Sequence, residues 1–192
     1  MEQLIKSLST LFDLYDGNRT TTSSHQKEAE FRSLYVLLHL DYRNQPMGEP
    51  LCIWFRNLAH GILYSEEINF SRKVLRYFQL GYYKQFLSVI SAEASYLQCC
   101  VLEPYIFQGR VSYLACINDV GFKTQSYALS HLSHLLMLEE HDVDRFCHSC
   151  GLETSDDSIG NKVLQTKQST FSVPKRDMEY PEFSSLERLL NI

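Results

Sequence analysis

Long apolar runs are missing from this sequence. The longest, such as residues 51–55, reach about five residues, against the roughly 20 that a membrane-spanning helix requires. No GxxxxGK and no GxGxxG occurs, which argues against a phosphate-cradling loop and nucleotide chemistry. Positive charge is not in excess either. Lys and Arg number 18 against 23 Asp and Glu, a formal net charge of −5, so the whole molecule has no field that attracts polyanions and any such contact must come from a local patch. The N-terminus has no basic segment leading into a continuous apolar stretch, so no signal peptide is expected. With 8 Gly and 5 Pro in 192 residues, the chain is neither fibrous nor of low complexity. It is long enough to bury a core without staples.

The six cysteines (52, 99, 100, 116, 147 and 150) lie within apolar periodic runs, not at the loop spacings of a disulfide framework. They are read as reduced and intracellular. The pair Cys147 and Cys150, with His131, His134, His141 and His148 nearby, has the spacing of half a zinc site. The second pair that a structural zinc needs is lacking, and on a helix the two thiols share a face with Val143 and Phe146 as small buried hydrophobes. Cys99 and Cys100 have no cationic neighbour to lower a thiol pKa. His39, His60, His131 and His134 have no partnered nucleophile motif. Glu66, Glu67, Glu139 and Glu140 fall at helix ends and read as dipole-complementing charges. No cofactor is expected, and a zinc-dependent or thiol enzyme built on Cys147 and Cys150 is the disfavoured alternative.

What is present is helical periodicity. Leu4, Leu8, Leu11, Phe12 and Tyr15 share a face at spacings of three and four, and the polar residues 16–27 interrupt it. Further helices are predicted over about 26–41, 50–63, 66–80, 82–90, 92–107, 109–120, 126–138 and 141–150. Pro104 is expected to kink or split the 92–107 segment. Gly81, Gly121 and Gly151, each followed by an apolar residue, have the form of left-handed helix stops. Beyond Leu152 the period changes, and residues 162–166 and 169–173 read as two short strands of a β-hairpin. The predicted architecture is mainly α: an antiparallel helical-repeat array over 1–107, a winged-helix module with a small β-hairpin over 108–175, and a tail over 176–192 that carries Leu186, Leu189 and Leu190. Lys162, Lys167, Lys175 and Arg176 form the one basic cluster suited to phosphate contact, unless they only guard a strand edge. Arg72, Lys73 and Arg76 read as a solvated helix face. The abundance of Tyr and Phe, 12 and 11, points to partner surfaces.

Four blocks, Glu30 to Leu40, Ala94 to Cys100, Leu129 to Leu136 and Phe146 to Leu152, resemble in order and spacing the GANP/suppressor-of-actin family of nuclear mRNA-export scaffolds. The resemblance spans about residues 8 to 175. It implies a PCI-type domain without enzymatic activity, located in the nucleus near the pore. It further implies pairing with a second PCI-domain protein, support from a small acidic subunit, and a joint platform for RNA or DNA. Family domains carry more helices before the first block, so the chain resembles an N-terminally shortened member, and the centrin-binding segment of long members has no counterpart in it. No membrane partner is implied. A centrosome- or spindle-associated role, or a place in another PCI assembly such as the proteasome lid or an initiation factor, is the alternative.

Overall fold

A computed structural model of the chain describes residues 2–18, 27–41, 50–120, 124–158 and 160–174. Among these the element order is α1 (Glu2–Gly17), α2 (Glu28–Leu38), α3 (Leu51–Arg56), α4 (His60–Leu63), α5 (Glu66–Gln79), α6 (Tyr83–Glu93), α7 (Tyr96–Asp119), β1 (Ser126–Ala128), α8 (Leu129–Leu136), α9 (Glu140–Ser149), β2 (Thr154–Asp156) and β3 (Lys162–Gln165). The chain is mainly helical with a small antiparallel sheet, as its periodicity predicts. No helix among the described residues is long and apolar enough to cross a membrane.

The chain forms two compact units: Met1–Tyr82 with Glu93–Leu102, and Tyr83–Ala92 with Glu103–Ile192. In the first unit, Leu8 and Phe12 of α1 pack with Leu38 of α2, flanked by Tyr35 and Trp54. Trp54 stacks on Tyr35 at 5.3 Å between ring centroids, and Phe12 meets Tyr35 edge-on at 5.4 Å. Such offset and edge contacts add to plain area burial. Arg32, only 4% exposed, is held by Glu28 at 2.7 Å and Asp16 at 2.8 Å and lies over the Phe12 ring at 4.7 Å. The buried guanidinium is tolerable because its fork is met on two sides by carboxylates and on its face by a ring.

Residues 50–63 form two short helices where one is predicted. Asn57 closes α3, its N–H donating to Ile53 O and Trp54 O at 3.2 Å, and Leu58, 7% exposed, anchors the break. Asn57 and Gly61 both disfavour a helix interior, so burial of Leu58 decides against continuity. α5 starts on Ser65, whose hydroxyl accepts from Ile68 N at 3.3 Å, with Glu66 and Glu67 in its first turn as the dipole favours.

α7 differs from expectation: it is one helix of 24 residues that includes Pro104, joining segments predicted as separate. The proline forfeits one hydrogen bond, but Leu102, Tyr105, Ile106 and Phe107 around it are all buried, and that packing outweighs the loss.

In the second unit the sheet order is β1-β3-β2, all antiparallel. The strand at 162–166 is found as β3, but its hairpin partner is β2, Ser155 opposite Val163, not residues 169–173. Those residues instead cross the end of α9, where Ser172 N donates to Cys150 O at 2.9 Å. β1, with Tyr127 opposite Leu164, lies in a stretch predicted as helix.

Two predicted glycine stops have Schellman geometry. After α5, Tyr82 N donates to Tyr77 O at 2.9 Å and Gly81 N to Phe78 O at 3.2 Å; after α9, Leu152 N donates to Cys147 O and Gly151 N to His148 O, both at 2.9 Å. Leu152 is fully buried, whereas Tyr82 stays 53% exposed. Gly121 and the tail over 176–192 lie outside the described residues. A third stop needs no glycine: Met137 takes φ 54° and ψ 47° at the end of α8. The carbonyls this leaves are met by Arg110, fully buried, whose Nε donates to Leu136 O at 2.6 Å and Nη2 to Met137 O at 3.0 Å.

Candidate nucleic-acid interface

The hairpin β2–β3 positions the first two basic candidates. Lys162 opens β3 opposite Asp156, and its ammonium donates to Asp144 Oδ2 on α9. Asp144 also accepts from the Thr154 hydroxyl of β2 at 2.6 Å and faces His148 Nε2 at 3.6 Å. The hydrogen bond from Lys162, followed by that from Thr154, holds the Asp144 carboxyl below the usual aspartate range. The same bond raises the Lys162 ammonium above its ordinary value. Lys162 therefore ties the hairpin to α9. Its side chain remains about half exposed, at 51%, and an ammonium has three donors, so a phosphate can approach it only in competition with Asp144.

Lys167 lies just past the other end of β3. Its backbone is left-handed, φ 70°, and its ammonium donates to Asp119 O at the C-terminus of α7, where a cation complements the helix dipole. Next to it, Asn118 and Gln168 clasp each other: Asn118 Nδ2 donates to Gln168 O at 2.9 Å and Gln168 N to Asn118 Oδ1 at 3.0 Å. The Gln168 amide in turn brackets Glu153, accepting from its N at 2.7 Å and donating to its O at 2.8 Å. Lys162 and Lys167 are thus at opposite ends of one strand. Lys175 and Arg176 lie outside the described residues. From Glu139 to Gln168 the sequence has seven acidic residues and three basic ones, so the local field around the hairpin is negative.

Sequence reasoning missed Asp144, the residue that organises this face. Its partners are 10 and 18 positions away, a separation that no local motif encodes.

Cys147 and Cys150 are both fully buried. Burial, then the neighbouring Cys150 and Asp144, pushes the Cys147 thiol up to about 12. A thiol so placed stays protonated at neutral pH and is not a nucleophile. Among the described residues no three His, Cys, Asp or Glu side chains converge as a metal site would require. His131 and His134 instead border a small recess of about 270 Å³ with Ser88, Ser91 and Leu135.

With this geometry in place, comparison with known proteins decides the lineage. The SAC3/GANP family model matches residues 1–156. The chain belongs to the SAC3/GANP family. It is 30% identical over 146 residues to SAC3 family protein B of Arabidopsis thaliana, a match that takes in 75% of the chain. It is 28% identical over 191 residues, 91% of the chain, to Protein xmas of Drosophila melanogaster. The chain spans about 8% of the length of each of these relatives. The SAC3/GANP match takes in α1 to β2 and stops short of β3.

Proposed function

We propose that this SAC3/GANP chain is a non-enzymatic scaffold segment of a transcription-coupled nuclear mRNA-export complex, acting near the nuclear pore. The observation that carries the reading is the family match over residues 1–156, joined to a helical array that ends in a small sheet ordered β1-β3-β2. In this reading residues 1–107 are the helical-repeat part, 108–175 a winged-helix part of one PCI-type domain, and 176–192 a tail. The winged-helix part pairs with that of a second PCI-domain protein, and a small acidic subunit supports the pair.

RNA or DNA binds the paired modules, with Lys162, Lys167, Lys175 and Arg176 supplying this chain's phosphate contacts. Because the hairpin's surroundings are acidic, the partner's charges carry much of the affinity, and the chain alone binds weakly. Changing the four basic residues to Glu in the paired complex weakens RNA binding and flattens its salt dependence, read by anisotropy from low to moderate salt. Unchanged affinity and slope would return these residues to guarding a strand edge. Pairing itself is tested by deleting residues 127–173 and asking whether the PCI partner still co-purifies; a retained partner contradicts the reading.

A further inference from the structure

The first unit contains a cleft of about 1950 Å³ that none of the preceding residues use. It runs the length of α5, lined from Glu66 at that helix's start to Gln79 at its end. Its apolar lining comes from Phe55 of α3, Leu63 of α4, and Phe70, Leu75 and Leu80 on and just beyond α5. Phe70 is buried, Phe55, Leu63 and Leu75 are half-buried, and Leu80 is exposed.

The charges that line it are unevenly satisfied. Lys27 pairs with Glu30 at 2.9 Å, and Lys73 with Glu93 at 2.9 Å. Arg56, Arg72 and Arg76 are exposed, and none has a carboxylate partner among the described residues. Arg72 and Arg76 are one turn apart on α5, so they present to the same side. The Arg72 guanidinium lies over the Phe55 ring at 5.4 Å, which holds it at the cleft without neutralising it. Three residues beyond Arg76, Gln79 Nε2 is enclosed and donates to nothing among the described residues.

The geometry points to this cleft as the docking site of an acidic, amphipathic helical peptide from another protein. Its apolar residues lie on Phe55, Leu63, Leu75 and Leu80, and its carboxylates meet Arg56, Arg72 and Arg76. A helix-in-groove contact needs an apolar floor about as long as the helix, and α5, at 14 residues, provides one of about 21 Å. Bidentate arginine pairing with carboxylates gives such a contact its charge selectivity. A polyanion with no apolar side fits less well, because it leaves the apolar floor of the cleft uncovered. The cleft includes none of the four basic residues proposed for RNA, so loss of either function leaves the other intact.

The test uses the full 192-residue chain and a fluorescein-labelled 14-residue peptide of Glu, Leu and Phe at helical spacing. Its analogue with Gln for every Glu and an oligouridine of similar length serve as comparison probes, read by anisotropy. The acidic peptide is expected to bind with an affinity that falls as salt rises. The Gln analogue, and the Arg72→Glu/Arg76→Glu chain, are expected to bind about tenfold or more weakly. Arg56→Glu is the second variant should the double change disturb α5, and it is expected to weaken binding in the same direction. Equal binding of the Gln analogue overturns the proposal, as does oligouridine binding more tightly than the peptide and being lost in the arginine variants. Self-association of the chain that the arginine variants abolish also overturns it, because a second copy is then the occupant.

Discussion

Asp144 shows how one side chain sets the behaviour of a surface. It accepts from Lys162 and Thr154, and its carboxyl is held below the usual range. A depressed carboxylate stabilises the fold above the unfolded-state value, near pH 4, and that contribution fades as pH falls through the folded value. Lys162, raised by the same bond, contributes below its unfolded value near 10.5 and loses that contribution as pH rises past it. Asp144→Asn should therefore lower the thermal midpoint at neutral pH and flatten the acid limb of stability against pH. Superimposable profiles for the two proteins would contradict this. Arg110→Met, which leaves the carbonyls of Leu136 and Met137 without their donor, should cost about 3 kcal/mol in chemical denaturation; a loss within about 0.5 kcal/mol would mean that water replaces the guanidinium. Neither residue is legible in the sequence, because their partners are 18 and 26 positions away. The cysteines are legible, since apolar periodicity alone marks Cys147 and Cys150 as buried. Cys52 and Cys116 are exposed and Cys99, Cys147 and Cys150 are not. A thiol reagent should therefore label the first two in the folded chain and the other three only on unfolding.

At the scale of elements, what the sequence encodes locally is recovered and what depends on distant packing is not. The helix stops at Gly81 and Gly151 follow from a glycine and the residue after it. The stop at Met137 does not, because its left-handed backbone is secured by Arg110 from another helix. Gly81 and Gly151 have nearly the same φ, 73° and 72°, but a Cβ on Gly151 would come within 2.3 Å of Thr170 O. Gly81→Ala should cost about 1–2 kcal/mol for the left-handed backbone, and Gly151→Ala distinctly more, because the 170–172 segment has to move as well. Equal losses would show that this segment is not held against α9. α7 fails the local rule in the other direction, its packing carrying it past a proline. Pro104→Ala restores a hydrogen bond and should raise stability by about 1–3 kcal/mol; a lower denaturation midpoint would show that the ring itself is part of the packing. The hairpin was half legible: the run at 162–166 is found as β3, but the pairing of Tyr127 with Leu164 joins residues 37 apart, and no turn signal announces it.

Over the whole molecule, a net charge of −5 and the acidic surroundings of the hairpin are the reason the proposed reading assigns much of the nucleic-acid affinity to a partner. The arginine-bearing cleft of the first unit was visible in sequence only as a solvated basic face, since α3 and α4, which make that face into a cleft, come from a segment that reads as a single helix. Family membership, by contrast, was legible in four short blocks, which fall on α2, the start of α7, α8 and the end of α9. The measurement closest to the central claim is affinity purification of the tagged 192-residue chain from nuclear extract, with bound proteins identified by mass spectrometry. The scaffold reading predicts recovery of a second PCI-domain protein together with a small acidic subunit. Recovery of spindle, proteasome-lid or initiation-factor proteins in their place, or of no PCI partner at all, would contradict it.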